Sequence, residues 1–122
     1  MAPPGILIVD DSPQFCEAAA ALLAERGFEV LTIVADGNQA LDAAADACPD
    51  GILLDINLPG RDGFAVAASL AAVCPGARIV LTSANVAHVS AELLRECTAI
   101  AFVPKEALVG ADLCGLFTPG GT

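Results

Sequence analysis

The sequence predicts an α/β domain, a doubly wound parallel sheet with helices on both faces. Three observations carry that prediction: five apolar runs too short for helices, helical periodicity between them, and Gly, Pro or Asp punctuation at most junctions. The organising stretch is Gly51-Ile52-Leu53-Leu54-Asp55-Ile56-Asn57-Leu58-Pro59-Gly60, where an apolar run stops at a carboxylate and a Pro-Gly loop follows. In a parallel sheet this puts Asp55 at the carboxyl end of a strand, the rim where ligands bind.

Taken in order, residues 6–9 form a first strand that runs into Asp10-Asp11. Ser12-Pro13 supplies an N-cap hydroxyl and a proline at the first helical position. Phe15, Ala18, Ala19, Leu22 and Leu23 mark one apolar face of that helix, and Gly27 closes it. Residues 30–34 are a second strand, after which Asp36-Gly37-Asn38 opens a helix with Leu41, Ala44, Ala45 and Cys48 on its face and Pro49 at its stop. The third strand ends at Asp55. Asp62-Gly63 leads into a helix with Phe64, Ala67, Ala68 and Ala71 on one side, closed by Pro75-Gly76. A fourth strand spans 78–82 and ends at Ser83-Ala84; Val86, Val89, Leu93 and Cys97 mark a fourth helix. The fifth strand, 99–103, runs into Pro104-Lys105, and a last helix covers about 108–117, weakened by Gly110 and Gly115. Residues 1–118 make one domain and 119–122 a tail without structure of its own.

Composition narrows the function. The 122-residue chain carries a formal charge of −10 and only five basic residues, so it has no patch to neutralise a duplex and is not expected to bind nucleic acid directly. No apolar segment reaches the length of a spanning helix, and the start has neither the charge nor the run of a signal peptide, so no membrane association is expected. The five cysteines (Cys16, Cys48, Cys74, Cys97, Cys114) lie among apolar residues without a Cys-x-x-Cys pair and read as reduced core residues of a cytoplasmic protein.

The rim of the expected sheet gathers Asp10 and Asp11 from strand one, Asp55 from strand three, Ser83 from strand four and Lys105 from strand five. Three carboxylates in a partly dry cleft need a compensating cation, and carboxylates, a carbonyl and waters suit magnesium. Carboxylates with a metal, a lysine and a hydroxyl are the equipment of phosphoryl transfer, in which an aspartate can itself be the nucleophile. Thr82 competes with Ser83 for the hydroxyl role. Each residue also has a plain reading: Asp10-Asp11 as charge at a helix N-terminus, Lys105 as a solvated loop lysine, Phe102 as core, His88 as a solvated turn residue.

Four segments, Val9-Asp10-Asp11-Ser12-Pro13, Leu53 to Gly60 with Asp62-Gly63, Val80-Leu81-Thr82-Ser83-Ala84 and Phe102-Val103-Pro104-Lys105, together resemble the receiver domain of two-component response regulators. The resemblance implies a flavodoxin-like sheet of order 2-1-3-4-5. It implies that Asp55 takes a phosphoryl group from a histidine kinase or phosphotransfer protein. Asp11, Asp55 and the Asn57 backbone carbonyl would then hold Mg2+, with Asp10 acting through a water. It further implies that Ser83 and Lys105 bind phosphoryl oxygens, Lys105 pairing with the carboxylate at rest. Phe102 would turn inward with Ser83 and alter the face of helix four, strand five and helix five for a downstream output domain or target. Asn57 and Asn85 would flank the path of the hydrolytic water and tune dephosphorylation. Such a protein would be a signalling phosphoacceptor that catalyses only its own phosphorylation and dephosphorylation.

Departures from the family pattern are Cys97-Thr98 in place of a glycine, Glu106 where a proline is common after the lysine, and the short glycine-containing last helix. The last argues against the usual dimer through the output face, so a phosphorylation-dependent dimer stays an open expectation. Two rival classes are an aspartate-nucleophile phosphatase, which would need an acid where Asn57 stands, and a receiver-shaped interaction module that is never phosphorylated.

Overall fold

Every apolar run forms a strand, and all five strands pair in parallel. The computed structural model describes residues 3–58, 60, 62–84 and 99–118. Strands β1 (Gly5–Val9), β2 (Glu29–Val34), β3 (Gly51–Asp55), β4 (Arg78–Ser83) and β5 (Ala101–Pro104) lie in the order β2-β1-β3-β4-β5. The central strands β1 and β3 are buried along their whole length, which is why their sequences are apolar without alternation. Edge strand β2 is largely exposed, with Leu31 and Ile33 both open to solvent, and its pairing with β1 slips between Ile6 and Leu7.

Among the described residues, three helices of ten residues or more cover the sheet: α1 (Pro13–Glu25), α2 (Gly37–Asp46) and α3 (Gly63–Val73). Each starts where expected and on a side-chain cap, of which Ser12 alone is expected as such. The Ser12 hydroxyl accepts from the Phe15 amide, Asp36 from Gln39, and Asp62 from Phe64. Alternate strand residues feed two cores. Leu7, Val9, Ile52, Leu54, Ile79 and Leu81 pack against Ala40, Ala44, Val66, Ala67 and Leu70 of α2 and α3. Ile6, Ile8, Leu53 and Val80 pack against Cys16, Ala19 and Leu23 of α1 and against Leu108, Leu113 and Phe117. Gly63 is forced by a close approach: a Cβ there would lie 2.3 Å from the Cα of Ile56.

The helix faces bear out the sequence expectation in part: Ala19, Leu23, Ala44 and Ala67 are buried as expected, whereas Ala18, Ala45, Cys48 and Ala68 are exposed and Cys16, Ala40, Val66 and Leu70 are buried as well. α3 is apolar on nearly all sides, and alanines are spread around α1 and α2, so spacing alone does not set their phase. The last helix is also not continuous. A 3-10 helix, Lys105–Gly110, is followed by extended Ala111 and then a one-turn helix, Leu113–Phe117, capped by Asp112 on Gly115. Two arginines tie this stretch down: Arg26 donates to the carbonyls of Val109 and Ala111, and Arg78 to that of Leu116.

The reduced state expected of the cysteines is overturned for one pair. Cys48 and Cys74 form a disulfide, because α2 and α3 lie side by side and their C-terminal ends meet with the two Cα atoms 5.7 Å apart. Cys114 is exposed rather than in the core; Cys16 is buried. The expected fourth helix, with Asn85, His88, Cys97 and Thr98, and the tail 119–122 lie outside the described residues. Among the described residues no helix is long and apolar enough to cross a membrane.

Candidate functional site

Parallel pairing delivers the ends of β1, β3, β4 and β5 to one rim, and Asp10, Asp55, Ser83 and Lys105 follow or close those strands. Asp10 and Asp55 are buried and are held in the same way. In each, Oδ1 accepts from the backbone amide two residues on, Ser12 at 2.8 Å and Asn57 at 2.9 Å. The second oxygen of each is thereby turned toward Lys105, whose Nζ lies 2.8 Å from Asp10 Oδ2 and 3.5 Å from Asp55 Oδ2. The resting lysine thus sits closer to Asp10 than to Asp55. The contact with Asp10 is one of charge: its Oδ2 is buried and makes no hydrogen bond of good geometry among the described residues.

Asp11 is exposed beside them. One carboxylate oxygen from each of Asp10, Asp11 and Asp55 falls within a common span of 4.8 Å. Three hard oxygen donors at that spacing, one of them an under-satisfied buried carboxylate, fit a small divalent cation such as magnesium. Burial pushes the Asp55 carboxyl up and the charge of Asp10 adds to this. The Asn57 amide and the Lys105 ammonium pull the other way without cancelling it. Burial works to lower the Lys105 ammonium, but its contact with Asp10 and the charges of Asp55 and Asp10 outweigh it and hold it above its ordinary value.

Ser83 is buried, and its Oγ accepts a 2.7 Å hydrogen bond from Asn57 Nδ2. Asn57 therefore touches Asp55 with its backbone and Ser83 with its side chain, a link the sequence did not reveal. Thr82, the competing hydroxyl, is buried with its Oγ1 unpartnered among the described residues. Phe102 is half-buried on β5 and packs against the core shared with α2 and α3. Phe15 packs against the α1-side core as expected and also lies under the lysine, with Lys105 Nζ 4.4 Å from its ring centroid. The signal was available: Phe15 falls one helical turn after Asp11, on the turn of α1 that opens at the rim. A cleft of about 380 Å3 lined by Leu7, Leu31, Thr32, Ala43, Asp46, Ala47 and Pro49 holds none of these groups.

Comparison with known proteins is consistent along nearly the whole chain. Residues 6–111 match the family described as response regulator receiver domain. The DNA-binding response regulator MtrA of Mycolicibacterium smegmatis is 38% identical over 100 residues, 82% of this chain and 43% of that protein. A protein-glutamate methylesterase/protein-glutamine glutaminase of Anaeromyxobacter dehalogenans is 38% identical over 79 residues, 64% of this chain and 23% of its own. The chain thus spans less than half the length of these curated relatives. Among solved structures, the receiver domain of a sensor histidine kinase from Pseudomonas aeruginosa, with magnesium coordinated in its active site cleft, superposes with a TM-score of 0.80 at 28% identity. The match covers 95% of this chain and 98% of that one. A Burkholderia pseudomallei response regulator with a phosphorylated aspartic acid and a calcium ion superposes at 0.83 and 26% identity, over 94% and 67% of the two chains.

Proposed function

Because the chain belongs to the response regulator receiver domain family, we propose that Asp55 is its phosphoacceptor, taking a phosphoryl group from a histidine kinase or phosphotransfer protein. The observation that supports this most is the meeting of Asp10, Asp11 and Asp55 around the single lysine, with Asp55 on the middle strand of the sheet. An oxygen of Asp55 attacks phosphorus, an acyl phosphate bond forms, and the bond to the donor breaks, its electron pair leaving with the donor imidazole or carboxylate. Water later attacks the same phosphorus, which returns Asp55 as a carboxylate and releases inorganic phosphate. The domain performs only these steps on itself and is otherwise a signalling module.

Asp11, Asp55 and the backbone carbonyl of Asn57 would hold magnesium directly, and Asp10 through a water. Bound there, the ion supplies positive charge against the clustered acids and the moving phosphoryl oxygens. Lys105, already between Asp10 and Asp55, moves its ammonium onto a phosphoryl oxygen. Ser83 donates its hydroxyl proton to another, a role its acceptance of the Asn57 amide does not compete with. Phe102 follows Ser83 inward and reshapes the face around β5, where an output domain or separate target reads the state. Asn57 and Asn85 set how quickly water reaches the phosphorus.

The receiver unit is taken as 1–118, with 119–122 as a tail, acting in the cytoplasm without direct nucleic-acid contact and with dimerisation as one consequence of phosphorylation. In a reducing compartment the Cys48–Cys74 pair is then expected as a reversible dithiol. The test is intact mass after incubation with magnesium and acetyl phosphate. One phosphoryl adduct is expected on the native chain and none on Asp55→Asn; an adduct that persists in Asp55→Asn overturns the assignment.

A further inference from the structure

Lys105 is the chain's only lysine, and among the described residues its ammonium lies close to Asp10, Asp55 and the ring of Phe15. The two acids compete unequally, since Asp10 Oδ2 is nearer by 0.7 Å (3.5 Å less 2.8 Å). With nothing else present, a flexible four-carbon stem would let the ammonium settle on Asp10 and withdraw from Asp55. The ring adds a contact that is electrostatic but uncharged. Its negative face attracts a cation at the observed 4.4 Å without taking part in the competition between carboxylates. An aliphatic side chain of similar bulk would exclude water about as well but would lack that attraction.

Resting on the reading of Asp55 as phosphoacceptor, we propose that Phe15 is a positioning residue whose ring holds the Lys105 ammonium within reach of Asp55, ready for the phosphoryl oxygens. Phe15 sits in the first turn of α1, anchored by the hydrogen bond its backbone N–H donates to the Ser12 hydroxyl, and Ser12 in turn donates its own amide N–H to Asp10. The ring is therefore fixed to the same short segment as one of the acids it works beside. Nothing in this role requires the ring to touch the phosphodonor.

The test compares Phe15→Leu and Phe15→Met, which keep apolar bulk, with Phe15→Tyr and Phe15→Trp, which keep a π face. Each is followed for its rate of phosphorylation by acetyl phosphate with magnesium, and for its thermal midpoint to confirm folding. The aliphatic variants are expected to react about 3- to 10-fold more slowly than the native chain, and the aromatic ones within about twofold of it. A second readout needs no chemistry. Lysine labelled with 13C at Cε gives one side-chain signal in this chain, and its methylene protons are expected upfield through the ring current, losing that displacement in Phe15→Leu and keeping it in Phe15→Tyr. Aliphatic variants as fast as the native chain, or an undisplaced native lysine signal, overturn the proposal. A native chain that takes no phosphoryl group at all overturns the reading of Asp55 instead, and the positioning role with it.

Discussion

Replacing Lys105 by methionine removes one charge and keeps most of the side-chain volume, which isolates what the ammonium does for the fold. At an effective dielectric of about 20, its attractions to Asp10 at 2.8 Å and Asp55 at 3.5 Å amount to roughly 6 and 5 kcal/mol. Desolvation of the three groups cancels most of that. Breaking a buried ion pair by removing one partner costs about 3–5 kcal/mol, because the other charge is left uncompensated. The Lys105 side chain keeps 17% of its surface in water, so the expectation for Lys105→Met lies lower, at about 2–3 kcal/mol at pH 7 in the absence of divalent metal. The loss has a pH signature. Asp55 binds its proton more tightly folded than unfolded, so as pH falls toward the unfolded carboxylate range near about 4 it neutralises first in the native state, and stability rises. Without the ammonium that rise is steeper, and the gap between variant and native chain narrows with acid. Denaturant melts at several pH values with a chelator present measure it. A gap of the same size at pH 7 and pH 4.5, or no gap at pH 7, would refute the electrostatic account of the site. In an Asp55→Asn background the same change is expected to cost less, since only Asp10 is then left unpaired.

Asp55→Asn alone is expected to raise the thermal midpoint at pH 7 by about 2–4 °C, because it removes a buried carboxylate whose ionised form opposes folding, and scanning calorimetry should show the gain fading below about pH 4. Asn57→Ala removes the amide that Ser83 accepts, with a loss of about 1 kcal/mol in denaturant melts; an unchanged midpoint would mean the bond contributes nothing at rest. Gly63→Ala drives a Cβ into the Ile56 backbone and is expected to destabilise by about 2–3 kcal/mol, with Gly63→Ser no better. Reducing Cys48–Cys74, which closes a 26-residue span, is expected to lower stability by about 3.5 kcal/mol on the chain-entropy account while leaving the initial rate of phosphorylation within about twofold, as read by mass spectrometry.

The sheet and its rim were legible because strand burial and strand ends are local properties. Gly51–Asp55 is buried throughout, and nothing but a strand's carboxyl end explains an acid there. Asp10, Asp11, Asp55, Ser83 and Lys105 all arrive at one rim for that reason. What spacing did not resolve was rotation and partnership. Gly63–Val73 is apolar on nearly every side, so Leu70 rather than Ala71 faces inward for reasons set by the sheet, not by the helix's own pattern. The Cys48–Cys74 bond depends on two helix ends that only the fold brings together. The break between Lys105–Gly110 and Leu113–Phe117 reflects weak glycine-containing sequence whose carbonyls are claimed by Arg26, a residue 83 to 85 positions earlier in the chain. The unequal sharing of Lys105 is likewise a matter of distances, which spacing does not supply, whereas the turn that carries Phe15 to the rim was open to a sequence reading.

The bond between Cys48 and Cys74 makes the domain mechanically lopsided. The layer formed by α2 and α3 is stitched at the foot, where the two helices finish, while among the described residues the opposite layer of α1 and the C-terminal turns is joined by packing and by hydrogen bonds to carbonyls, without a covalent link. When oxidised, the stitched helices cannot slide past each other at that end. A displacement started among the acids then meets its softer resistance on the α1 side, where the backbone that follows Lys105 is held by the guanidiniums of Arg26 and Arg78 rather than by a covalent bond.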